Sequence, residues 1–382
     1  MLQQSMLMRQ RNLSSPSSFS SFPNSCCCSH HHHRYKMLIV EGCHLLTRFA
    51  IINQVFLLFL LVLEWFLIGP VHYYDFDAAV AGSLVSDEEE LPGLEDILAR
   101  ASMPDKTVIL TTLNAAWAQP NTMIDLFLDS FHQGEGIEYL LNHLVIIALD
   151  QVAYNRCTEL HTACFMLTTE GVDFAAEKFF MTGEYLMMMW RRIEFLRRVL
   201  EMGYSFVFSD TDIMWFRDPF PRFDKSADLQ IACDKYTGIP EDLDNQPNGG
   251  FVYARSNNRT IDFYKYWYMS REDHPGLHDQ DVLNEIKFDQ DFVDIGLELR
   301  FLNTLYFGGF CEVSKDLEQV CTMHANCCTG LQRKLKDLRL VKEDWKCFRQ
   351  MSPQMKKLQR VYWRAPRQCL LSFEKKEKNP LL

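Results

Sequence analysis

The sequence predicts an α/β fold with a mainly parallel central sheet that is covered by helices on both faces. Short, fully apolar runs are typical of strands buried on both faces, and here they alternate with segments of helical periodicity. Polar residues follow several of these runs directly, as they do at the ligand-binding edge of such sheets. The 382 residues are enough for one domain of this kind with additional segments at its ends.

The predicted elements follow one another from residue 107 onward. Apolar runs predict strands at 107–113, 144–149, 164–167, 206–208, 229–232 and 251–254. Helical periodicity covers 123–131 and, most clearly, 184–201. The apolar stripe of this second helix consists of Tyr185, Met189, Ile193, Leu196 and Leu200. Gly203 is expected to follow its end, because glycine is common just beyond a helix C-terminus.

The apolar segment 49–69 predicts a single transmembrane helix, since about 20 apolar residues span a bilayer. Basic residues precede it and acidic residues follow it, which indicates a signal anchor with a cytosolic, disordered tail at 1–48 and a luminal domain. A cleaved signal peptide and a buried core helix are the alternatives. The other predicted parts are an acidic stem at 70–104, the α/β domain at 105–350 and a C-terminal extension at 351–382.

Charge and cysteine content narrow the possible partners and the compartment. The net charge of −11 argues against nucleic acid as a partner, because such proteins carry basic patches. Nine cysteines follow the apolar segment, so disulfides are plausible in a luminal setting and the odd number leaves at least one unpaired. Asn258-Arg259-Thr260 is a sequon for N-glycosylation.

Two carboxylates spaced i, i+2, Asp210 and Asp212, follow the strand at 206–208 directly, with Thr211 between them. This spacing places both side chains on one face, where they favour a hard divalent cation, Mn²⁺ or Mg²⁺, that bridges to a diphosphate. Such carboxylates are expected to be exposed and to contribute little to the core. The alternatives are a solvated turn and a haloacid-dehalogenase type of phosphatase that forms a phosphoaspartate at Asp210.

A histidine far along the chain, His324, is a candidate third ligand, because neutral imidazole often joins two carboxylates around a cation. Gly330 allows close approach of the backbone to phosphate, and Lys334 supplies positive charge. A zinc site formed by His324 with Cys327 and Cys328 is the alternative.

Two further pairs have a possible role in binding a sugar. Asn248 and Gly249 precede a strand, and the alternative to ligand binding is a simple β-turn. Asp279 and Gln280 are candidates to orient a sugar ring and stabilise developing charge, whereas the alternative for Asp279 is a helix N-cap.

Polar residues at the ends of the first two predicted strands and on the helix at 184–201 complete the candidate site. Candidates to hold a nucleotide base and ribose are Thr111, Thr112, Asn114 and Asp150. Arg191, together with Arg192, is a candidate to reach phosphate. Ordinary loop polarity and solvated surface cations are the alternatives.

These residues together resemble the plant nucleotide-diphospho-sugar transferase family, glycosyltransferase family 77, over about residues 104–350. The motifs that carry the resemblance are Ala148-Leu149-Asp150, the block 204–221 and His324-Ala325-Asn326-Cys327-Cys328. It implies a GT-A, Rossmann-like fold and a type II Golgi membrane protein. It also implies a UDP-sugar donor, a divalent metal and retention of the anomeric configuration.

The resemblance also implies roles for residues and substrates. By analogy, Asp210, Asp212 and His324 bind the metal, and Asn248, Asp279 and Gln280 contact the sugar. Members of the family transfer arabinose, xylose or galactose to cell-wall glycans and hydroxyproline-rich glycoproteins, which predicts a glycan or glycoprotein acceptor. A catalytically silent luminal protein that binds a nucleotide sugar or glycan is the alternative.

Overall fold

The computed structural model describes residues 91–169, 171–178, 180–358 and 361–371, all of which belong to one compact unit, 77–382. The predicted tail at 1–48, the predicted membrane segment at 49–69 and most of the predicted stem lie outside these residues. None of the described helices is both long enough and apolar enough to cross a membrane.

Ten strands occur in the described part of the chain. They are β1 Thr107–Leu113, β2 Leu144–Ala148, β3 Cys164–Met166, β4 Ser205–Ser209, β5 Ile213–Trp215, β6 Leu229–Lys235, β7 Gln246–Ala254, β8 Leu299–Phe301, β9 Phe307–Gly309 and β10 Thr322–His324. Seven form the central sheet in the order β3-β2-β1-β4-β7-β6-β8, and three form a small sheet in the order β5-β10-β9. Each of the six predicted strands is present in the central sheet.

The prediction of an α/β fold with a mainly parallel sheet is confirmed. In the central sheet only β7 runs antiparallel to its two neighbours, β4 and β6. The chain between β6 and β7, residues 236–245, is too short for the crossover that a parallel pair requires, so these two strands pair antiparallel. The strand direction is therefore reversed in β7, next to β4, the strand that the two aspartates follow in sequence.

Nine α-helices are described alongside the strands. They are α1 Leu94–Ala101, α2 Met123–Gln133, α3 Gln151–Leu160, α4 Gly183–Glu201, α5 Asn258–Met269, α6 Asp279–Ile286, α7 Gln290–Ile295, α8 Leu331–Gln350 and α9 Pro353–Leu358. Short 3₁₀ helices cover Glu138–His143 and Phe220–Arg222.

The two helices predicted from periodicity are confirmed as α2 and α4. The side chain of Thr182 caps α4 by accepting the backbone N–H of Tyr185. Gly203 follows the helix with φ of 83°, a left-handed conformation that glycine adopts without steric cost. Of the predicted stripe of α4, Ile193, Leu196 and Leu200 pack into the core, whereas Met189 and the partly buried Tyr185 line a cleft.

The structure extends the α/β domain beyond the predicted boundaries at both ends. Helix α1 lies within the predicted stem, yet Leu94 and Leu98 are fully buried in the core together with strands β1 and β2. Within the predicted C-terminal extension, residues 361–371 pack against α8, with Ala365 and Cys369 buried. Leu94, Leu98 and Ala101 have helical spacing, so the sequence does carry a signal for α1, whereas residues 361–371 show no regular pattern.

The described cysteines form three disulfides, and the prediction that at least one would remain unpaired is confirmed. The bridges join Cys157 to Cys164, Cys311 to Cys327 and Cys328 to Cys369, whereas Cys233, Cys321 and Cys347 are free. The alternative of a zinc site at Cys327 and Cys328 is therefore wrong, because a disulfide sulfur cannot act as a thiolate ligand.

The small sheet brings the two halves of the candidate site together. Strand β5 begins directly after the aspartate pair and runs antiparallel to β10, so Ile213 lies opposite His324. The next backbone N–H, that of Ala325, donates to the carbonyl of Asp212 at 3.0 Å. This register places His324 beside the two aspartates, although more than 100 residues separate them in the sequence.

The packing of the C-terminal segment depends on Asp337, which is fully buried on α8 and accepts the backbone N–H groups of Arg367, Gln368 and Cys369. We expect Asp337→Ala to lower the free energy of unfolding by about 2–3 kcal/mol, because buried donors lose their acceptor. Denaturant unfolding of the full-length protein measures this. The control Lys346→Ala, exposed on the same helix, is expected to change it by less than about 0.5 kcal/mol; equal effects would contradict the assignment.

Candidate functional site

Asp210, Asp212 and His324 form the centre of a cleft at the carboxyl end of β4. One side-chain ligand atom from each residue lies within 4.8 Å of the others. The Nε2 atom of His324 lies 3.2 Å from Oδ1 of Asp212 and 3.8 Å from Oδ2 of Asp210. Two carboxylates and one imidazole in this arrangement can hold a divalent cation.

Asp212 is buried rather than exposed, which corrects the expectation from sequence. Its side chain is only 1% accessible, and Oδ2 accepts a hydrogen bond from Nζ of Lys334 at 2.6 Å. Burial acts to raise the pKa of Asp212, but Lys334 and His324 outweigh it and hold the pKa well below its ordinary value. Asp212 is therefore ionised, and it needs a nearby cation in the folded protein.

The pKa of Asp210 shifts in the opposite direction. Burial raises its pKa, Arg192 opposes this effect, and the neighbouring Asp212 raises the pKa further. The net shift is upward, although Nη1 of Arg192 lies 3.2 Å from its Oδ1. A bound divalent cation would favour ionisation of both aspartates, which is the property that a metal site requires.

Arg192 connects the aspartate pair to the predicted sugar-binding residues. Its Nη2 donates to Oδ2 of Asp279 at 2.6 Å, and both side chains are buried. Burial acts to raise the pKa of Asp279, but Arg192 and His278 lower it to about 2. The N-cap of α6 is His278, which accepts the backbone N–H of Gln280, so the N-cap alternative for Asp279 is wrong.

Two glycines of β7 allow these side chains to approach the backbone closely. A Cβ atom on Gly250 would lie 2.5 Å from Cε1 of His324 and 2.6 Å from Oδ2 of Asp210. A Cβ atom on Gly249 would lie 3.2 Å from Oδ2 of Asp279. The backbone of β7 thus forms one wall of the cleft, as expected where the chain passes close to a ligand.

The cleft encloses a cavity of about 360 Å³, and most of the predicted site residues line it. Those that do so are Thr112, Asn114, Asp210, Thr211, Asp212, Asn248, Gly249, Asp279, Gln280, His324, Gly330 and Lys334. Asn114 also holds the adjoining loop, because its amide donates to the carbonyls of Phe174 and Ala176.

Three predicted residues do not line the cleft. Asp150 caps α3, since one carboxylate oxygen accepts the backbone N–H of Ala153 at 2.8 Å. Its other oxygen accepts the backbone N–H of Ala115, outside the helix, at 2.7 Å. Thr111 is fully buried within β1. The guanidinium of Arg191 contacts the carbonyl of Thr168, whereas its neighbour Arg192 enters the site. Successive helical residues are rotated by about 100°, so only one of the two arginines can point into the cleft.

Several site residues were not predicted. Asp234 and Asn326 line the cleft and form hydrogen bonds within it, and Glu177 accepts the backbone N–H of Leu331 at the start of α8. Asp234 lies two residues beyond the predicted strand at 229–232, so its position near a strand end is the signal for it in the sequence. For Glu177 the sequence offered no signal, because its loop shows no periodic pattern.

Comparison with known proteins identifies the family to which this chain belongs. The sequence model of the nucleotide-diphospho-sugar transferase family matches residues 139–338, more than half of the chain. The chain therefore belongs to this family, and it is a nucleotide-sugar glycosyltransferase. Membership favours the sugar-transfer interpretation of the aspartates over the phosphatase alternative.

Several plant proteins are similar to this chain. The uncharacterized protein At4g15970 of Arabidopsis thaliana is 52% identical over 284 residues, which cover 74% of this chain and 75% of that protein. The uncharacterized protein At1g28695 of the same plant is 39% identical over 74% of this chain and 87% of its own length. A UDP-D-xylose:L-fucose alpha-1,3-D-xylosyltransferase 1 of Arabidopsis thaliana is 24% identical over 32% of this chain and 37% of that protein.

The close approach at Gly250 predicts that Gly250→Ala weakens binding of Mn²⁺ by about tenfold or more. The added methyl group would displace His324 or Asp210, and such overpacking typically costs 1–3 kcal/mol. Titration of the full-length protein with Mn²⁺ by calorimetry measures the change. Val252→Ala, in the same strand but in the core, is expected to lower stability without changing the affinity for Mn²⁺; unchanged affinity in the glycine variant would contradict the proposed ligands.

The buried pair of Arg192 and Asp279 predicts a pH-dependent loss of stability in Arg192→Gln. At about pH 7 the variant is expected to be less stable by about 3–5 kcal/mol, because the Asp279 carboxylate stays buried without its partner. In the wild type the lowered pKa means that ionised Asp279 stabilises the fold above its ordinary pKa of 3.8, a contribution lost as the pH falls through 2.

In the variant, burial raises the pKa of Asp279, so protonation at about pH 4 should relieve part of the destabilisation. Denaturant unfolding at both pH values measures the difference. Arg198→Gln, which removes a partly exposed ion pair of the same helix, should cost less than about 1 kcal/mol at either pH. A loss in Arg192→Gln that is equally large at both pH values would contradict this account.

Proposed function

We propose that this protein transfers a sugar from a UDP-sugar to a glycan or glycoprotein in a metal-dependent reaction with retention of configuration. The observation that carries the proposal is the joint placement of a carboxylate–carboxylate–imidazole cluster and two cations in one cleft, beside Asn248, Asp279 and Gln280. A diphosphate needs positive charge, and a sugar ring needs several hydrogen-bonding groups.

The donor set fits Mn²⁺ or Mg²⁺. Asp210, Asp212 and His324 supply oxygen and nitrogen ligands, and the glycine at position 250 leaves room between them. When bound, such a cation neutralises the negative charge of the leaving diphosphate. Lys334 and Arg192 border the same place and would supply further positive charge to the phosphates.

The environment of Asp279 supports a mechanism without an enzymic nucleophile. Its carboxylate is buried, forms a hydrogen bond to Arg192 at 2.6 Å and has a pKa of about 2. A carboxylate stabilised in this way is a weak base and a poor nucleophile. We therefore expect the leaving phosphate itself to help deprotonate the acceptor on the same face of the sugar, and a covalent glycosyl adduct on Asp279 would contradict this.

The finer substrate assignment and the location are also proposals. We infer that the sugar donor is UDP-xylose, UDP-arabinose or UDP-galactose. The family resemblance and the name of the xylosyltransferase relative support this. A Golgi membrane location with a luminal domain is supported by the charge asymmetry around residues 49–69 and by three disulfides, which form in oxidising compartments. The silent-binder alternative is disfavoured, because the matching family is one of transferases and relatives of this chain are named as sugar transferases.

The decisive test is the effect of Asp212→Asn on metal-dependent turnover. We expect release of UDP from a panel of UDP-sugars with Mn²⁺ to fall by about 100-fold or more, and chelation with EDTA to abolish it in the wild type. Because Asp212 is buried against Lys334, the single variant also leaves a lysine without its partner.

The double variant Asp212→Asn with Lys334→Met separates these effects, since it removes both charges together. It should recover the stability of the fold but not the turnover. Metal-independent turnover in the wild type, or full activity in the double variant, would contradict the proposed site. Metal-dependent binding of UDP without any turnover would identify the silent binder instead.

A further inference from the structure

Asp234, at the carboxyl end of β6, is the shared acceptor of three side-chain amides. Its Oδ1 accepts hydrogen bonds from Nδ2 of Asn248 and Nδ2 of Asn326, both at 2.8 Å. Its Oδ2 accepts one from Nε2 of Gln280 at 3.0 Å. The three amides come from β7, from α6 and from the loop after β10, so one carboxylate connects three separate walls of the cleft.

The oxygen of each amide is held as well, by a backbone N–H group. Asn248 accepts from Gly250 at 3.0 Å, Gln280 from Gly249 at 3.2 Å and Asn326 from Cys311 at 3.1 Å. With the oxygen on a backbone donor and the nitrogen on Asp234, each amide has a single orientation that satisfies both ends. None of the three can flip without losing two hydrogen bonds.

The hydrogen bonds that remain unused define what this cluster can bind. Each amide nitrogen carries two N–H groups, and among the described residues its only acceptor is Asp234. A carboxylate has about four acceptor positions, of which three are occupied. The cluster therefore offers three donors and one acceptor to a ligand in the cleft, a pattern that suits neighbouring hydroxyl groups of a sugar ring.

We propose that Asp234 is the positioning residue of a hydroxyl-binding subsite, and that Asn326 belongs to this subsite beside Asn248 and Gln280, the two amides already assigned to the sugar. Asp234 acts through the amides, because its charge fixes their orientation and leaves one N–H of each directed to the sugar. This inference rests on the proposed function, since it assumes that a sugar enters the cleft. The ring is either that of the UDP-sugar or that of the acceptor, and the two have the same hydroxyl chemistry.

The test compares binding of UDP with binding of UDP-sugars in Asp234→Asn. The substituted amide has a donor where the carboxylate accepted, so at least one neighbouring amide must turn away. With Mn²⁺ present, calorimetry on the full-length protein should show UDP affinity within about twofold of the wild type. If the donor ring occupies the subsite, affinity for the best of UDP-xylose, UDP-arabinofuranose and UDP-galactose should fall about tenfold or more, because a hydrogen-bonded group that loses its partner costs about 1–3 kcal/mol.

A second arm of the experiment identifies the ring. Binding of methyl α-L-fucopyranoside and methyl β-L-arabinofuranoside to the UDP-loaded protein is followed by saturation-transfer NMR. A loss confined to the UDP-sugar assigns the subsite to the donor, and a loss confined to the methyl glycosides assigns it to the acceptor. Unchanged binding in both arms would overturn the proposal.

Two controls keep the outcome interpretable. Asp228, just before the other end of β6, is also a buried carboxylate with several partners, including Asn257, Arg259 and the backbone of Glu298. Asp228→Asn should lower stability and leave the ratio of UDP to UDP-sugar affinity unchanged. If Asp234→Asn does not fold, Asn326→Ala removes one donor and should reduce sugar-dependent binding about threefold or more. Failure of the wild type to bind UDP would instead overturn the proposed function.

Discussion

Asp210, Asp212 and Asp279 converge in one cleft, and the need to balance their charge determines how the surrounding structure is arranged. Asp212 and Asp279 are almost fully buried, and Asp210 shares the guanidinium of Arg192 with Asp279. Buried charges are costly unless they are paired, and here Lys334 and Arg192 provide the pairs, one from each side of the cleft. The same two cations border the place where a diphosphate would lie. The ion pairs that stabilise the buried aspartates therefore also place positive charge beside that position.

The positions of the charges depend on backbone pairing far from the ligand. Strand β10 pairs with β5 and sets His324 beside the aspartates, and α8 begins seven residues after His324, with Lys334 in its first turn. Two disulfides begin at the adjacent residues Cys327 and Cys328 and lead to Cys311 and Cys369. The loop between His324 and Lys334 is thus held covalently at both of its cysteines, which limits the motion of His324 relative to Lys334.

The two sides of the cleft suit different chemical tasks. On one side, ionised groups are matched in pairs, as binding of a metal and a diphosphate requires. On the other, Asp234 orders three amides whose remaining donors are neutral, as recognition of hydroxyl groups requires. Arg192 lies between the two sides and contacts Asp210 and Asp279 together. One guanidinium group thus links the proposed sugar-binding residue Asp279 to the candidate metal ligand Asp210.

Local patterns in the sequence were sufficient for the α/β class, the main strands, helix α4 and the candidate ligands Asp210, Asp212 and His324. Apolar periodicity and polar residues at strand ends depend only on neighbouring residues, so they can be read without tertiary contacts. The sequence could not decide between Arg191 and Arg192, reveal that Asp150 caps a helix, or identify Asp234 as a shared acceptor. Each of these depends on which way a side chain points once distant segments pack together, and only the tertiary structure determines that direction.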